Sequence, residues 1–227
     1  MMLLFVVLLG ASCAPGRMVS VGAGTDFACV LHEGGDVRCW GRNDVGQLGR
    51  GTSDTLAHPN AERVALSEQA VALAVGRDHA CALTKKGDAF CWGDDRMAES
   101  GAEGVADECS DLGTIVPCRT KPARVASDQR FRSIAVGFRQ SCSITVEQRV
   151  LCWGDAYAAD EERDTLDLDR CGPEMYAAWC HRRPAMVTRQ TSQNVRDGLA
   201  PAEPHARCIR GQLHAKRPYS PSRVREP

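Results

Sequence analysis

The sequence has no excess of charge of either sign: 28 Lys and Arg stand against 29 Asp and Glu, leaving a net charge of −1. No global field therefore recruits nucleic acid or an anionic lipid surface. A long apolar run is missing too. The stretch Leu3-Leu4-Phe5-Val6-Val7-Leu8-Leu9 falls far short of the roughly 20 residues of a membrane-crossing helix, which argues against a permanent anchor of that kind. There is no Cys-x-x-Cys, so a thioredoxin-like redox site is excluded, and no Asp-x-Asp-x-Asp-Gly order, so a dedicated calcium loop is excluded. Cysteine, by contrast, is plentiful: 12 in 227 residues is more than a reduced cytosolic protein usually carries.

The start of the chain, residues 1–18, reads as an export signal, because the apolar run is followed by the small residues Gly10-Ala11-Ser12. Small residues directly before Cys13 resemble the bacterial lipoprotein cleavage box, which implies lipidation of Cys13. The expected location is then the outer membrane or cell surface, or a secreted or periplasmic space, with membrane contact only through that lipid. The alternative for the same run is a buried first strand with Cys13 in a core.

Three segments share one grammar: an apolar residue and Gly, Cys five residues after that Gly, then Cys-Trp-Gly ten residues on. The copies run from Gly24 to Cys29 and Cys39-Trp40-Gly41, from Gly76 to Cys81 and Cys91-Trp92-Gly93, and from Gly137 to Cys142 and Cys152-Trp153-Gly154. They recur at a spacing of roughly 50–60 residues, the range of propeller blades or solenoid turns. Within each copy the cysteines frame a hairpin. Around Glu33-Gly34-Gly35, counting outward from His32 opposite Asp36 places Leu31 against Val37 and Cys29 against Cys39 in a non-hydrogen-bonded pair. Such pairs sit about 4.5 Å apart at Cα, within disulfide range. The same count joins Cys81 to Cys91 and Cys142 to Cys152, and sets Leu83 against Ala89 and Ile144 against Val150. A left-handed residue is needed last in such loops; Gly35 and Gly87 fill that place, and Gln148 is expected to be strained there. Each hairpin thus turns a cystine and an apolar pair to one face, toward the next blade, and Trp40, Trp92 and Trp153 are expected to pack between blades.

Two further pairs, Cys109 with Cys118 and Cys171 with Cys180, share one spacing and precede a Pro-x-x-Val (Pro122 to Val125, Pro184 to Val187), as equivalent loop staples. Zinc is disfavoured because none of these pairs has the short knuckle spacing of zinc ligands, and no cofactor motif is present. Cys208 has no evident partner. In the first copy the corresponding loop reads Trp40-Gly41-Arg42-Asn43-Asp44-Val45-Gly46-Gln47-Leu48-Gly49-Arg50-Gly51. With the preceding apolar-Gly and hairpin, this string resembles the regulator of chromosome condensation repeat over residues 19–187, and the hairpin cystines resemble the exported bacterial branch of that family. The resemblance implies all-β propeller blades, divided as 19–66, 70–125 and 131–187, about three blades of an incomplete ring. It also implies recognition through loops at the blade ends, with Asn43, Asp44 and Gln47, 94–117 and 155–179 supplying the surface.

Catalysis finds little support. His32, His79 and His181 lie in different repeat contexts, and no Ser-His-Asp or Cys-His arrangement remains once the cysteines pair. The acid-rich stretch 155–169 reads as a solvated excursion, and the Ser-x-Asp-x-Gly-x-Thr-Trp box of sialidase-type propellers is absent. Residues 188–227 are rich in Arg and Pro, as in a disordered or basic tail. They also echo the second copy at Leu199-Ala200 and His205 to Ile209, then reach Pro218 where Cys-Trp-Gly is due. An abortive fourth repeat is the second expectation for that segment, with a truncated or shifted reading frame behind it. The sequence points to a non-catalytic, exported protein-binding scaffold without cofactor. Its open ends need self-association or another propeller fragment, because three blades cannot close a ring. A non-functional fragment and a propeller hydrolase or lyase are the alternatives, and nucleotide exchange is not expected of an exported chain.

Overall fold

A computed structural model describes residues 16–155, 169–171 and 178–186. All of its regular structure is antiparallel strand, in three sheets that follow one another along the chain. The first blade is β1 (Met18–Ala23), β2 (Phe27–His32), β3 (Val37–Asn43) and β4 (Asp54–Arg63), paired in that order. The second holds β5 (Ala70–Val75), β6 (His79–Thr84), β7 (Ala89–Asp94), β8 (Asp107–Asp111) and β9 (Thr114–Arg124); the third holds β10 (Phe131–Val136), β11 (Gln140–Thr145), β12 (Val150–Asp155), β13 (Asp169–Cys171) and β14 (Ala178–Met186). Their orders are β5-β6-β7-β9-β8 and β10-β11-β12-β14-β13. The second and third blades therefore have one strand more than the first, because the staple loop folds into a hairpin arm with the outermost strand.

The three hairpins close identically. His32 N donates to Asp36 O at 2.8 Å and Gly35 N to His32 O at 3.0 Å, with equivalent pairs at Thr84/Asp88/Gly87 and Thr145/Arg149/Gln148. The last loop residue has φ of +86° at Gly35, +82° at Gly87 and +65° at Gln148. A side chain in this region costs about 1–2 kcal/mol, partly offset by the flexibility a glycine adds to the unfolded chain. Gln148→Gly is accordingly expected to raise stability by about 0.5–1 kcal/mol in chemical denaturation.

That register sets Cys29 opposite Cys39, Cys81 opposite Cys91 and Cys142 opposite Cys152. All three pairs are disulfide-bonded with Cα atoms 4.1 Å apart. Loops this short place each bond at about 2–3 kcal/mol of stabilisation. The Gly of each Cys-Trp-Gly also has a left-handed backbone. A Cβ there would lie 2.3 Å from Asp26 O at Gly41, 2.5 Å from Asp78 O at Gly93 and 2.4 Å from Arg139 O at Gly154. The motif thus carries its glycine because the preceding turn crosses that point.

The core lies between blades. Cys29, Leu31, Val37 and Cys39 of the first blade form one cluster with Ala80, Ala82 and Trp92 of the second. Cys81, Leu83, Ala89 and Cys91 of the second form the next with Phe131, Leu151 and Trp153 of the third. The cystine faces of the first and second blades are each covered by the blade that follows.

Candidate functional site

The loop after the third strand of a blade is built from its own side chains. Asn43 Oδ1 accepts from Leu48 N at 3.2 Å, Gln47 Oε1 accepts from Val45 N at 3.0 Å, and Gln47 Nε2 donates to Asp44 Oδ1 at 3.1 Å. In the second blade, Asp95 Oδ1 accepts from Ser100 N at 2.9 Å and Glu99 Oε2 from Met97 N at 2.7 Å, at the corresponding positions. Asn43, Asp44 and Gln47 are 0%, 5% and 1% exposed. The expectation that these three residues supply a binding surface is therefore corrected. They replace backbone partners that a tight turn cannot provide, and they sit in the interior.

The loop's task is to hold the next blade. Trp92 Nε1 donates to Gln47 O at 3.0 Å, and Trp153 Nε1 donates to Glu99 O at 2.9 Å. Trp92 and Trp153 are buried between blades. Trp40, at the same position of the first blade, is only half-buried among the described residues. Its face, with Val21, matches the covered faces that carry Leu73 and Ile134.

The second class of cystine belongs to the same joint. Cys109 and Cys118 are bonded across β8 and β9 and pack with Val116 on Val45 of the preceding blade's loop. Cys180 is disulfide-bonded and packs on Met97 and Ala98, the equivalent loop of the second blade. The side chain of Cys171 lies outside the described residues, although its backbone pairs with Ala178 while Asp169 pairs with Cys180. That is the offset of Cys109 and Asp107 on Val116 and Cys118. Cys13, Cys208, His181's side chain, acids 156–168 and residues 187–227 likewise lie outside.

Two blades are also joined through charge. Asp111, at the turn of the second blade's arm, accepts from Arg42 Nη2 at 2.8 Å and Arg96 Nη1 at 2.9 Å. Arg42 also pairs with Asp44, and Arg96 holds Asp94 at 2.7 Å. Burial offset by these carboxylates keeps both arginines above their ordinary pKa. Asp78 beside them is pushed up by burial, against the pull of Arg77. A small cavity of about 90 Å³ lies among Arg42, Arg77, Arg96, Asp78 and Leu112.

Deeper polar groups lock the second blade to the third. His79 is fully buried and held down to about 3 by desolvation. The Ser141 hydroxyl donates to Glu99 O at 3.1 Å and lies 3.0 Å from His79 Nε2. Glu99 is raised well above its usual value by burial, then by Asp94 and Asp95, and its Oε1 has no hydrogen-bond partner. His32 is engaged elsewhere, its Nδ1 lying 2.7 Å from Gly16 O. Among the described residues no group of three or more His, Cys, Asp or Glu could hold a metal ion.

The exposed part of this end of the molecule is different. The three apolar-Gly turns converge on an open mouth of about 490 Å³ lined by Gly24, Thr25, Gly76, Arg77, Gly137 and Phe138. Arg77 lines both this mouth and the smaller cavity, so one surface runs from the inner turns to the arm at Asp111 and Leu112. Along it Phe138 is 61% exposed, and Leu112 and Ile115 on the arm are exposed as well. Sequence reasoning missed Arg77, Phe138 and Arg139. They follow the shared Gly, where the copies differ (Thr25-Asp26, Arg77-Asp78, Phe138-Arg139), and that variation within a constant frame was the available signal.

Comparison with known proteins gives a consistent result. Residues 18–47 and 70–97, and in a second form 34–83, match the regulator of chromosome condensation (RCC1) repeat. The ultraviolet-B receptor UVR8 of Arabidopsis thaliana is 28% identical over 141 residues, covering 62% of this chain and 30% of the receptor. The protein RCC2 homolog of Danio rerio is 36% identical over 105 residues, 46% of this chain and 21% of that protein. The human E3 ubiquitin-protein ligase HERC2 is 30% identical over 141 residues, 61% of this chain and 3% of the ligase. The chain spans less than a third of each of these relatives. Among solved structures, Prp20p of Saccharomyces cerevisiae superposes with a TM-score of 0.60 at 22% identity, covering 79% of this chain and 40% of that one. Human WBSCR16 does so at 0.58 and 18%, covering 76% and 39%. At those identities the likeness is one of fold.

Proposed function

We propose that this chain, which carries regulator of chromosome condensation repeats and blades of that type, is a non-catalytic protein-binding scaffold that works outside the reducing cytosol. The observation that carries the reading is the surface running from the axial mouth to the arm. It offers an exposed Phe138 and the exposed apolar residues Leu112 and Ile115 beside loop polar groups, Asn43, Asp44 and Gln47, that are buried in joining blades. Loops on a rigid scaffold are where recognition concentrates, and exposed aromatic and aliphatic anchors rimmed by charge suit a protein partner.

Relatives support the class of partner and no more. The Prp20p structure is described together with that protein's binding to Gsp1p and histones, and what passes to this chain is recognition of a protein. Export is supported by the apolar start and by cystines at 0% exposure in two blades, bonds that persist in oxidising compartments, and lipidation of Cys13 by the small residues Gly10-Ala11-Ser12 before it. Exchange on a small GTPase is not part of the proposal, since an exported chain does not meet that substrate. The first blade's face at Val21 and Trp40 takes a further blade, from a longer chain, a second copy or another fragment, because the equivalent faces of the other two blades are covered.

The test uses the disulfide-intact protein from its native host. Sedimentation with the exported protein fraction is expected to show a stoichiometric complex with one protein, and a panel of saccharides is expected to remain unhydrolysed. Turnover without any stable binder overturns the reading.

A further inference from the structure

We propose that the axial mouth is a docking site for an acidic, extended protein segment, which sets a carboxylate between Arg77 and Arg139 and an apolar side chain on Phe138. This deepens the scaffold reading, on which it rests, by naming the chemistry of the partner.

Three observations support it. The guanidinium of Arg77 lies 4.5 Å from the centroid of the Phe138 ring and that of Arg139 lies 5.3 Å from it. Two cations and an exposed ring thus form one unit, drawn from two blades. Arg139 has no carboxylate partner among the described residues, whereas Arg42 and Arg96 are each tied to Asp111 and a second aspartate. Arg77 engages Asp78 through Nε at 3.0 Å. The charge left to satisfy beside Phe138, at the edge of the mouth, is therefore that of Arg139, in a protein whose overall net charge is only −1.

Shape and stiffness agree. The mouth, about 490 Å³ and open to solvent, has room for a few side chains of a peptide. Its rim is rigid: Thr25 N donates to Arg77 O at 2.9 Å across the first and second blades, and Gly76 N and Gly137 N each close their own turns. A Cβ at Gly76 would lie 2.4 Å from Gly137 O, so the second and third turns touch directly. A guanidinium on an aromatic ring is preordered, which lowers the entropy lost when a carboxylate arrives. The chain's near-neutral charge, and the pairing of the neighbouring arginines with aspartates, disfavour a polyphosphate backbone as occupant.

The experiment uses the full chain with its disulfides intact and three fluorescent probes at low salt: Glu-Glu-Leu-Glu-Glu, Lys-Lys-Leu-Lys-Lys and a single-stranded thymidine dodecamer. The acidic peptide is expected to bind saturably. Arg139→Glu should weaken it about tenfold or more, as reversal of a charge-assisted contact does, and Phe138→Ala about two- to fivefold, as loss of an exposed cation–π contact does, both without moving the melting temperature. No saturable binding, equal binding by both variants, preference for the basic peptide, or tighter binding of the oligonucleotide would each overturn the proposal. If a native protein partner binds the wild type and both variants alike, the scaffold reading stands and the mouth is not its site.

Discussion

Trp92→Ala should lower folding stability by about 3–5 kcal/mol, the cost of emptying a large buried site, while Trp40→Ala should cost less than half as much. The two residues occupy the same position of the Cys-Trp-Gly motif. Trp92 fills the joint between the first and second blades and gives its indole N–H to Gln47 O at 3.0 Å. Its removal leaves a cavity and an unanswered carbonyl. Cδ1 of Trp92 already lies 2.8 Å from the point a Cβ on Gly49 would occupy, so the loop is fitted to the ring and cannot collapse freely into the gap. Trp40 has no described blade on its outer side and is only half-buried, so less is lost. Urea denaturation of both variants measures the difference. Equal costs would mean that the tryptophans stabilise each blade from within, and would contradict an architecture held together at its joints.

The second large effect concerns acid. His79 is neutral in the fold, its pKa held at about 3 by burial, against 6.5 when unperturbed. A folded pKa below the unfolded one means that the stability is present above pH 6.5 and is lost as the pH falls through that value toward 3. Between pH 6.5 and 4.5 alone, this amounts to roughly 2–3 kcal/mol. His79→Phe copies Phe27, which stands at the same position of the first blade. Over this range the variant should gain roughly 2–3 kcal/mol relative to wild type, read from denaturation curves at each pH. Comparison with wild type is needed because Glu99 acts in the opposite sense. Its folded pKa is raised by burial and by Asp94 and Asp95, so the fold keeps a proton that the unfolded chain releases above 4.5, and stability falls as pH rises. A difference that does not change with pH would show that the imidazole is not shielded from protonation in the folded joint between the second and third blades.

Much of this joint was legible in the sequence. The hairpin register followed from counting, because a strand alternates strictly and the three-residue loop fixes where counting starts; Cys29 and Cys39, Leu31 and Val37 face each other for that reason. Trp92 and Trp153 recur after a hairpin cystine, which a blade-packing residue would do. The loop polar residues misled for a physical reason. Asn43, Asp44 and Gln47 have the composition of a solvated turn, and nothing in one copy tells a side chain that meets water from one that meets a backbone N–H. Comparison of copies does tell: Asn43 matches Asp95 and Gln47 matches Glu99, retaining acceptors where the turn needs them. The hairpin arm was read as a staple, but its packing on the preceding blade at Val45 was not legible, since a contact between segments so far apart leaves no local trace. Phe138 and its two arginines escaped for the converse reason, having no counterpart in the other copies.

Peptide mapping under non-reducing conditions, on protein isolated from its native host with free thiols blocked at lysis, tests the central claim most directly. The account predicts Cys29 linked to Cys39, Cys81 to Cys91, Cys142 to Cys152 and Cys109 to Cys118, as the structure pairs them. Blocked thiols at these positions, or links that join different repeats, would contradict both the stapled blades and the oxidising compartment in which the scaffold is proposed to work.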